Sequence, residues 1–136
     1  MNAPASDSVI DRPVTRRRYR AAFAFCGIGG GALGFKWAVA RLARLGMEAD
    51  FEIVGGIECE PSPARDFERL TGAPCLVAKV EELTPERLRE FFGDVDVWHF
   101  SPPCKAASPL LAPALAAPPQ SQEMGMRGAL FLDLML

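Results

Sequence analysis

Ala21-Ala22-Phe23-Ala24-Phe25-Cys26-Gly27-Ile28-Gly29-Gly30-Gly31 is the stretch on which the fold turns. Its first six residues are uniformly apolar, as a strand buried on both faces of a parallel sheet must be, and they feed straight into glycines. Glycine at that place lets backbone approach a ligand closely. The helix that follows points its N-terminal amides, and their partial positive charge, at the same spot. Leu33, Trp37 and Ala40 recur at helical spacing, Arg41 and Arg44 share another face, and Gly46 is a stop. Read literally, Gly27-x-Gly29-x-x-Ala32 fits a dinucleotide-type fingerprint; a purely structural tight turn is the alternative.

Working outward, Phe51 to Ile57 reads as a second strand that ends at Glu58-Cys59-Glu60. An acid at the end of the second strand is where ribose hydroxyls would be bound. Pro61 opens a helix whose Ala64, Phe67 and Leu70 are spaced for one face before Thr71-Gly72. Pro74 to Val80 is a short third strand. Thr84 can then cap a helix with Pro85 at its first position, Leu83 and Leu88 are placed as a hydrophobic staple, Phe91 and Phe92 bury it, and Gly93 ends it. Val95 to Phe100 makes the fourth strand. Strands alternating with helices specify an α/β fold, a doubly wound, Rossmann-like parallel sheet flanked by helices.

The fourth strand runs into Ser101-Pro102-Pro103-Cys104-Lys105-Ala106-Ala107-Ser108. Strand carboxyl ends face the ligand crevice in open parallel sheets, and two prolines make a stiff pedestal, so Cys104 is placed as a nucleophile would be. The plainer reading is a strand end followed by one more half-buried thiol. Trp98 and His99 read as core or crevice wall, Cys26 and Cys59 as space fillers beside the pocket, and Glu81, Glu82, Glu86 and Glu90 as a solvated face.

A chain of 136 residues is one domain at most. Its net charge of −2 gives no electrostatic case for nucleic acid, so such a partner must be argued from chemistry. The four cysteines form no C-x-x-C pair and there is one histidine, which points to neither a zinc site nor a disulfide framework. No metal is expected, and the thiols are expected to be reduced. No secretory signal or apolar run of membrane-spanning length is seen, so a cytoplasmic protein without a membrane partner is expected. Residues 1–20, with basic Arg16, Arg17, Arg18 and Arg20, read as a disordered basic lead, a solvated flank or a phosphate contact. Residues 106–119 read as a loop, and from Gln120 a helical pattern carries Met124, Leu130 and Leu134.

These residues together resemble the C5-cytosine DNA methyltransferases, whose S-adenosylmethionine loop has the form F-x-G-x-G-G and whose nucleophile follows the fourth strand in a Pro-Cys loop. Phe25-Cys26-Gly27-Ile28-Gly29-Gly30 matches the first motif, Glu58 with Cys59, Glu60 and Pro61 the ribose-binding acid, and Pro103-Cys104 with Ser108 the catalytic loop. The resemblance covers residues 21–108 and implies S-adenosylmethionine as cofactor. It implies cofactor contacts at Phe25, Cys26, Gly27, Ile28, Gly29, Gly30, Glu58 and Cys59, and Cys104 as the catalytic thiolate. It implies duplex DNA with a flipped cytosine as substrate. The expected function is DNA (cytosine-5-)-methyltransferase. The alternatives are a non-catalytic S-adenosylmethionine-binding remnant and an NAD-binding oxidoreductase fragment.

The chain also departs from that pattern. Phe23 and Ala24 precede Phe25 where the family carries an acid, Lys79 stands where a second acid is expected, and Ala107 replaces an aromatic residue. There is no Glu-Asn-Val or Gln-x-Arg-x-Arg motif, and after Cys104 the only cations are Lys105 and Arg127, too few to hold a duplex through its phosphates. Residues 21–136 are therefore expected to be the N-terminal part of a methyltransferase catalytic domain. Such a part would be incomplete and inactive alone, with a missing C-terminal half as a possible partner.

Overall fold

The computed structural model describes residues 17–102 together with 127, 129–131 and 133–135. Four parallel strands, β1 (Arg17–Ala24), β2 (Ala49–Glu58), β3 (Cys75–Val77) and β4 (Val97–Phe100), form one sheet in the order β3-β2-β1-β4. Helices α1 (Gly30–Arg44), α2 (Pro61–Thr71) and α3 (Pro85–Phe92) make the crossovers, with a 3₁₀ turn at Val80–Glu82 before α3. The chain steps from β1 outward to β2 and β3, then returns past β1 to lay down β4. Right-handed crossovers put α1 and α2 on one face and α3 on the other. The direction of winding thus reverses between β1 and β4, the place where open α/β sheets bind ligands.

The burial of side chains follows that layering. Along β1, Ala21 and Phe23 point toward α1 and α2, where they pack with Ala32, Phe67 and Ala73. Ala22 and Ala24 point the other way, into a core shared with Ile57, Val80, Leu83, Leu88, Phe92 and Phe131. The described residues from 127 to 135 are helical and contribute fully buried Phe131 to this second core. Local signals start and stop the helices as the sequence reading expects. The Thr84 hydroxyl accepts the Arg87 N–H at 3.2 Å to cap α3, and Leu83 and Leu88 are buried in one cluster, as a staple requires. Gly72, with φ +74°, closes α2 by donating to the Glu68 carbonyl at 2.9 Å.

Several expectations are corrected. Arg17, Arg18 and Arg20 are not part of a disordered lead but open β1, paired in register with Ala49, Asp50 and Glu52. Opposite charge compensates the basic residues there: Arg18 lies 3.9 Å from Asp50 and Arg20 lies 3.5 Å from Glu52. Arg20 also donates to the Asp94 and Phe92 carbonyls at 2.7 and 3.0 Å, and its own N–H bonds Asp96, tying the approach to β4 onto β1. On α1 the inward residues are Ala32 and Phe35, whereas Trp37 is 73% exposed. The close approach of Gly31 to His99 sets which stripe faces the sheet, because a Cβ on Gly31 would lie 3.1 Å from the imidazole. Leu70 and Phe91 lie at the surface as well, Phe92 alone being the buried member of its pair. β3 and β4 begin later than expected, at Cys75 and Val97. β2 carries a bulge at Val54, where pairing to β1 jumps from Ile53 to Gly55.

Candidate functional site

The site lies where β1 and β2 end. Phe25 leaves β1 with φ +54°, the one non-glycine residue with positive φ among the described residues; strain of this kind is held in place at ligand clamps and switches. The Cys26 amide donates to the Ile57 carbonyl at 3.0 Å and the Gly29 amide to the Cys26 carbonyl at 3.0 Å, which folds the turn back over β2. Gly29, with φ +96°, then starts α1; a side chain there would meet Thr71 at 3.0 Å and Phe67 at 3.1 Å.

Glu58, the last residue of β2, is the hub of the turn. Its Oε2 accepts the Gly27 N–H at 3.0 Å, and its Oε1 accepts the Cys59 and Glu60 N–H groups at 2.8 and 3.1 Å, with the Cys59 thiol at 3.4 Å. The N-terminal ends of α1 and α2 both open at this rim, so backbone amides and helix dipoles favour a negative charge here. A carboxylate has about four lone-pair directions. Two amides and the Cys59 thiol converge on Oε1, whereas Oε2 accepts the Gly27 amide alone among the described residues.

Beside Glu58 opens a cavity of about 280 Å³ on the α3 face of the sheet. Phe25, Ile57 and Phe131 make its apolar walls, Glu58 and Cys59 its acidic side, and Lys79 the end nearest β3. Phe131 stands against Phe25, Trp98 and Phe100 with ring centroids 6.0, 5.6 and 6.1 Å away. Arg127 lies 3.4 Å from Glu81 at the edge.

The residues expected at the site are divided by the sheet. Phe25, Glu58 and Cys59 line the cavity, and Gly27 touches it through Glu58. Ile28 is 56% exposed and outside it, while Gly29 and Gly30 form the start of α1. Cys26 is turned to the opposite face, over Gly56, with its Sγ 3.7 Å from that of Cys75. Desolvation and the Glu58 carboxylate push the Cys59 thiol up. Phe131 was not foreseen; the helical pattern through Leu130 and Leu134 pointed to the segment, but Leu130 itself is 38% exposed.

Cys104 lies outside the described residues, as does residues 106–119. The strand leading to it does not: the Ser101 amide donates to the Ala24 carbonyl at 3.3 Å, so the chain leaves β4 on the rim where the glycine turn begins.

A parallel sheet with a glycine turn after β1, an acid closing β2 and a cavity at the carboxyl ends of β1 and β2 is the arrangement of a Rossmann-like α/β fold. The backbone bears this out in the structure of S. pombe Dnmt2 methyltransferase, which superimposes with a TM-score of 0.51 at 22% identity, covering 86% of this chain and 29% of that one. A triply substituted Spodoptera frugiperda DNMT2 gives a TM-score of 0.45 at 22% identity, over 70% of this chain and 25% of that one. The chain thus spans under a third of the length of these proteins. No family model and no curated protein matches the sequence.

Proposed function

We propose that this chain is the cofactor-binding and nucleophile-bearing segment of an S-adenosylmethionine-dependent methyltransferase acting on C5 of cytosine in DNA. The carrying observation is the shared rim. Glu58, the Gly27 amide bonded to it at 3.0 Å and the Ser101 amide bonded to the end of β1 at 3.3 Å all lie at the carboxyl ends of adjacent strands.

The residues present suit the cofactor. The open Oε2 direction of Glu58 would take a ribose hydroxyl, with the Gly27, Cys59 and Glu60 amides keeping the carboxylate aimed. Phe25, Ile57 and Phe131 would exclude water from the apolar side, and Lys79 offers a donor at the far end. When bound, the cofactor supplies an electrophilic methyl group. Cys104 would add its thiolate to cytosine C6, giving C5 the electron density to take that methyl; loss of the C5 proton then expels the thiolate. The cytosine must leave the stack to reach it, so the substrate is a flipped base.

The test is twofold. Calorimetry with S-adenosylmethionine should show binding that Glu58→Ala removes, and binding of NAD in its place would overturn the reading. Incubation with DNA bearing 5-fluorocytosine should give a covalent adduct that Cys104→Ala abolishes, if not from this chain alone then on addition of a complementing C-terminal segment. An adduct that survives the substitution removes Cys104 from the mechanism. Cofactor binding with no adduct in either arrangement supports the binding remnant instead.

A further inference from the structure

Cys26 and Cys75 meet across β2. Cys26 follows β1 and Cys75 opens β3, with β2 between them, yet their sulfurs are 3.7 Å apart. Gly56, paired with Cys75 in the β2–β3 register, makes this possible: a Cβ there would lie 2.6 Å from the Cys26 Sγ. The missing side chain is the slot in which the two thiols touch. Both are half-buried and neither is in a disulfide, and Phe67 closes the slot from the α2 side.

From this geometry we infer that Cys26 and Cys75 form a reversible disulfide under peroxide, and that its closure displaces the glycine turn from Glu58. The Cys75 thiolate attacks the O–O bond of hydrogen peroxide, giving a sulfenic acid and one water. The Cys26 thiol then displaces the sulfenic oxygen as a second water, so two thiols and one peroxide become one disulfide and two waters. Their mutual hydrogen bond holds the Cys75 thiol below its ordinary value and makes it the attacking partner, whereas the same contact, together with burial, keeps Cys26 protonated until the second step. A disulfide needs its sulfurs about 2 Å apart, so the pair must draw together. β3 is paired to β2 at Gly56, Ile57 and Glu58; Cys26, held to β2 by its own amide on the Ile57 carbonyl, is next to the Gly27 amide that bonds Glu58. Closure therefore pulls on that amide. The effect on cofactor rests on the methyltransferase reading, while the disulfide itself does not.

The experiment separates the two. Each of the four cysteines lies on its own tryptic peptide, 21–36, 45–65, 70–79 and 90–105. After peroxide and non-reducing digestion of the full chain, peptides 21–36 and 70–79 should appear joined, two hydrogens lighter than their sum. Dithiothreitol should restore them, and Cys26→Ser, Cys26→Ala and Cys75→Ser should each abolish the product. Oxidation of peptide 70–79 to sulfinic acid without joining, or joining to 45–65 as often as to 21–36, would overturn the pair. Oxidation should also weaken S-adenosylmethionine binding by about tenfold or more in the parent chain but not in Cys75→Ser. Unchanged affinity in a chain shown to be disulfide-bonded would overturn the coupling and leave the pair standing. A reduced chain that never binds S-adenosylmethionine would sink the cofactor reading alone.

Discussion

At the amino ends of the strands, side chains answer side chains: Arg18 faces Asp50 and Arg20 faces Glu52, all partly exposed. At the carboxyl ends, one carboxylate, Glu58, is held by three backbone amides at the mouths of two helices. Exposed ion pairs are screened and individually weak, and one can be exchanged for another at little cost. Backbone amides at a helix start are placed by the fold and cannot be substituted away. The amino rim is therefore tolerant of substitution pair by pair, whereas the carboxyl rim holds its carboxylate with groups the fold itself places.

Substitutions that respect or cross this division test it. Gly56→Val, which drives a side chain into Cys26 and Phe67 at 2.6 and 2.9 Å, should lower unfolding free energy by about 3 kcal/mol in urea titrations. A loss below about 1 kcal/mol would mean the turn moves freely over β2. Arg20→Ala removes hydrogen bonds to the Asp94 and Phe92 carbonyls and the contact with Glu52, and should cost about 2 kcal/mol. Its cofactor affinity should stay within about twofold of the parent. Glu58→Gln should do the reverse: a tenfold or greater loss of S-adenosylmethionine affinity, about 1.4 kcal/mol, with a smaller change in the urea midpoint. Equal losses of stability and affinity in both variants would erase the distinction between rims. Arg18→Ala, at an exposed pair 3.9 Å long, should change stability by less than about 0.5 kcal/mol.

A final comparison sets Cys75 against Cys59. The hydrogen bond with Cys26 lowers the Cys75 thiol, while burial and the Glu58 carboxylate raise that of Cys59. A lowered thiol is thiolate, and so alkylated by iodoacetamide, at lower pH. Peptide 70–79 should therefore be modified at lower pH than peptide 45–65, and Cys26→Ala should move its midpoint upward.

Much of the fold was legible because each unit announces itself locally. Thr84-Pro85 starts α3 and Gly93 ends it, and Ala64 and Phe67 bury α2, as spacing and capping dictate. Misreadings fall where a distant partner decides. Trp37 has the right spacing for a buried stripe, but contact of Gly31 with His99 rotates α1 so that Ala32 and Phe35 face the sheet. The basic run at Arg17 to Arg20 reads as solvated until Asp50, Glu52 and Asp96 stand opposite. At the site, Glu58 and the glycine turn were visible from order and spacing, whereas Phe131 is remote in sequence and Cys26 could not be assigned to a face.

The amino-acid sequence by itself determined the alternation of strand and helix, the glycine turn after β1 and the acid at the end of β2, because these depend on periodicity, capping and backbone freedom within a few residues. Only the tertiary structure decided that the chain reverses between β1 and β4, that Phe131 walls the cavity and that Cys26 and Cys75 share the slot above Gly56. Those outcomes depend on crossover hand, strand register and the Val54 bulge, which bring residues far apart in the chain onto one face and have no local signature.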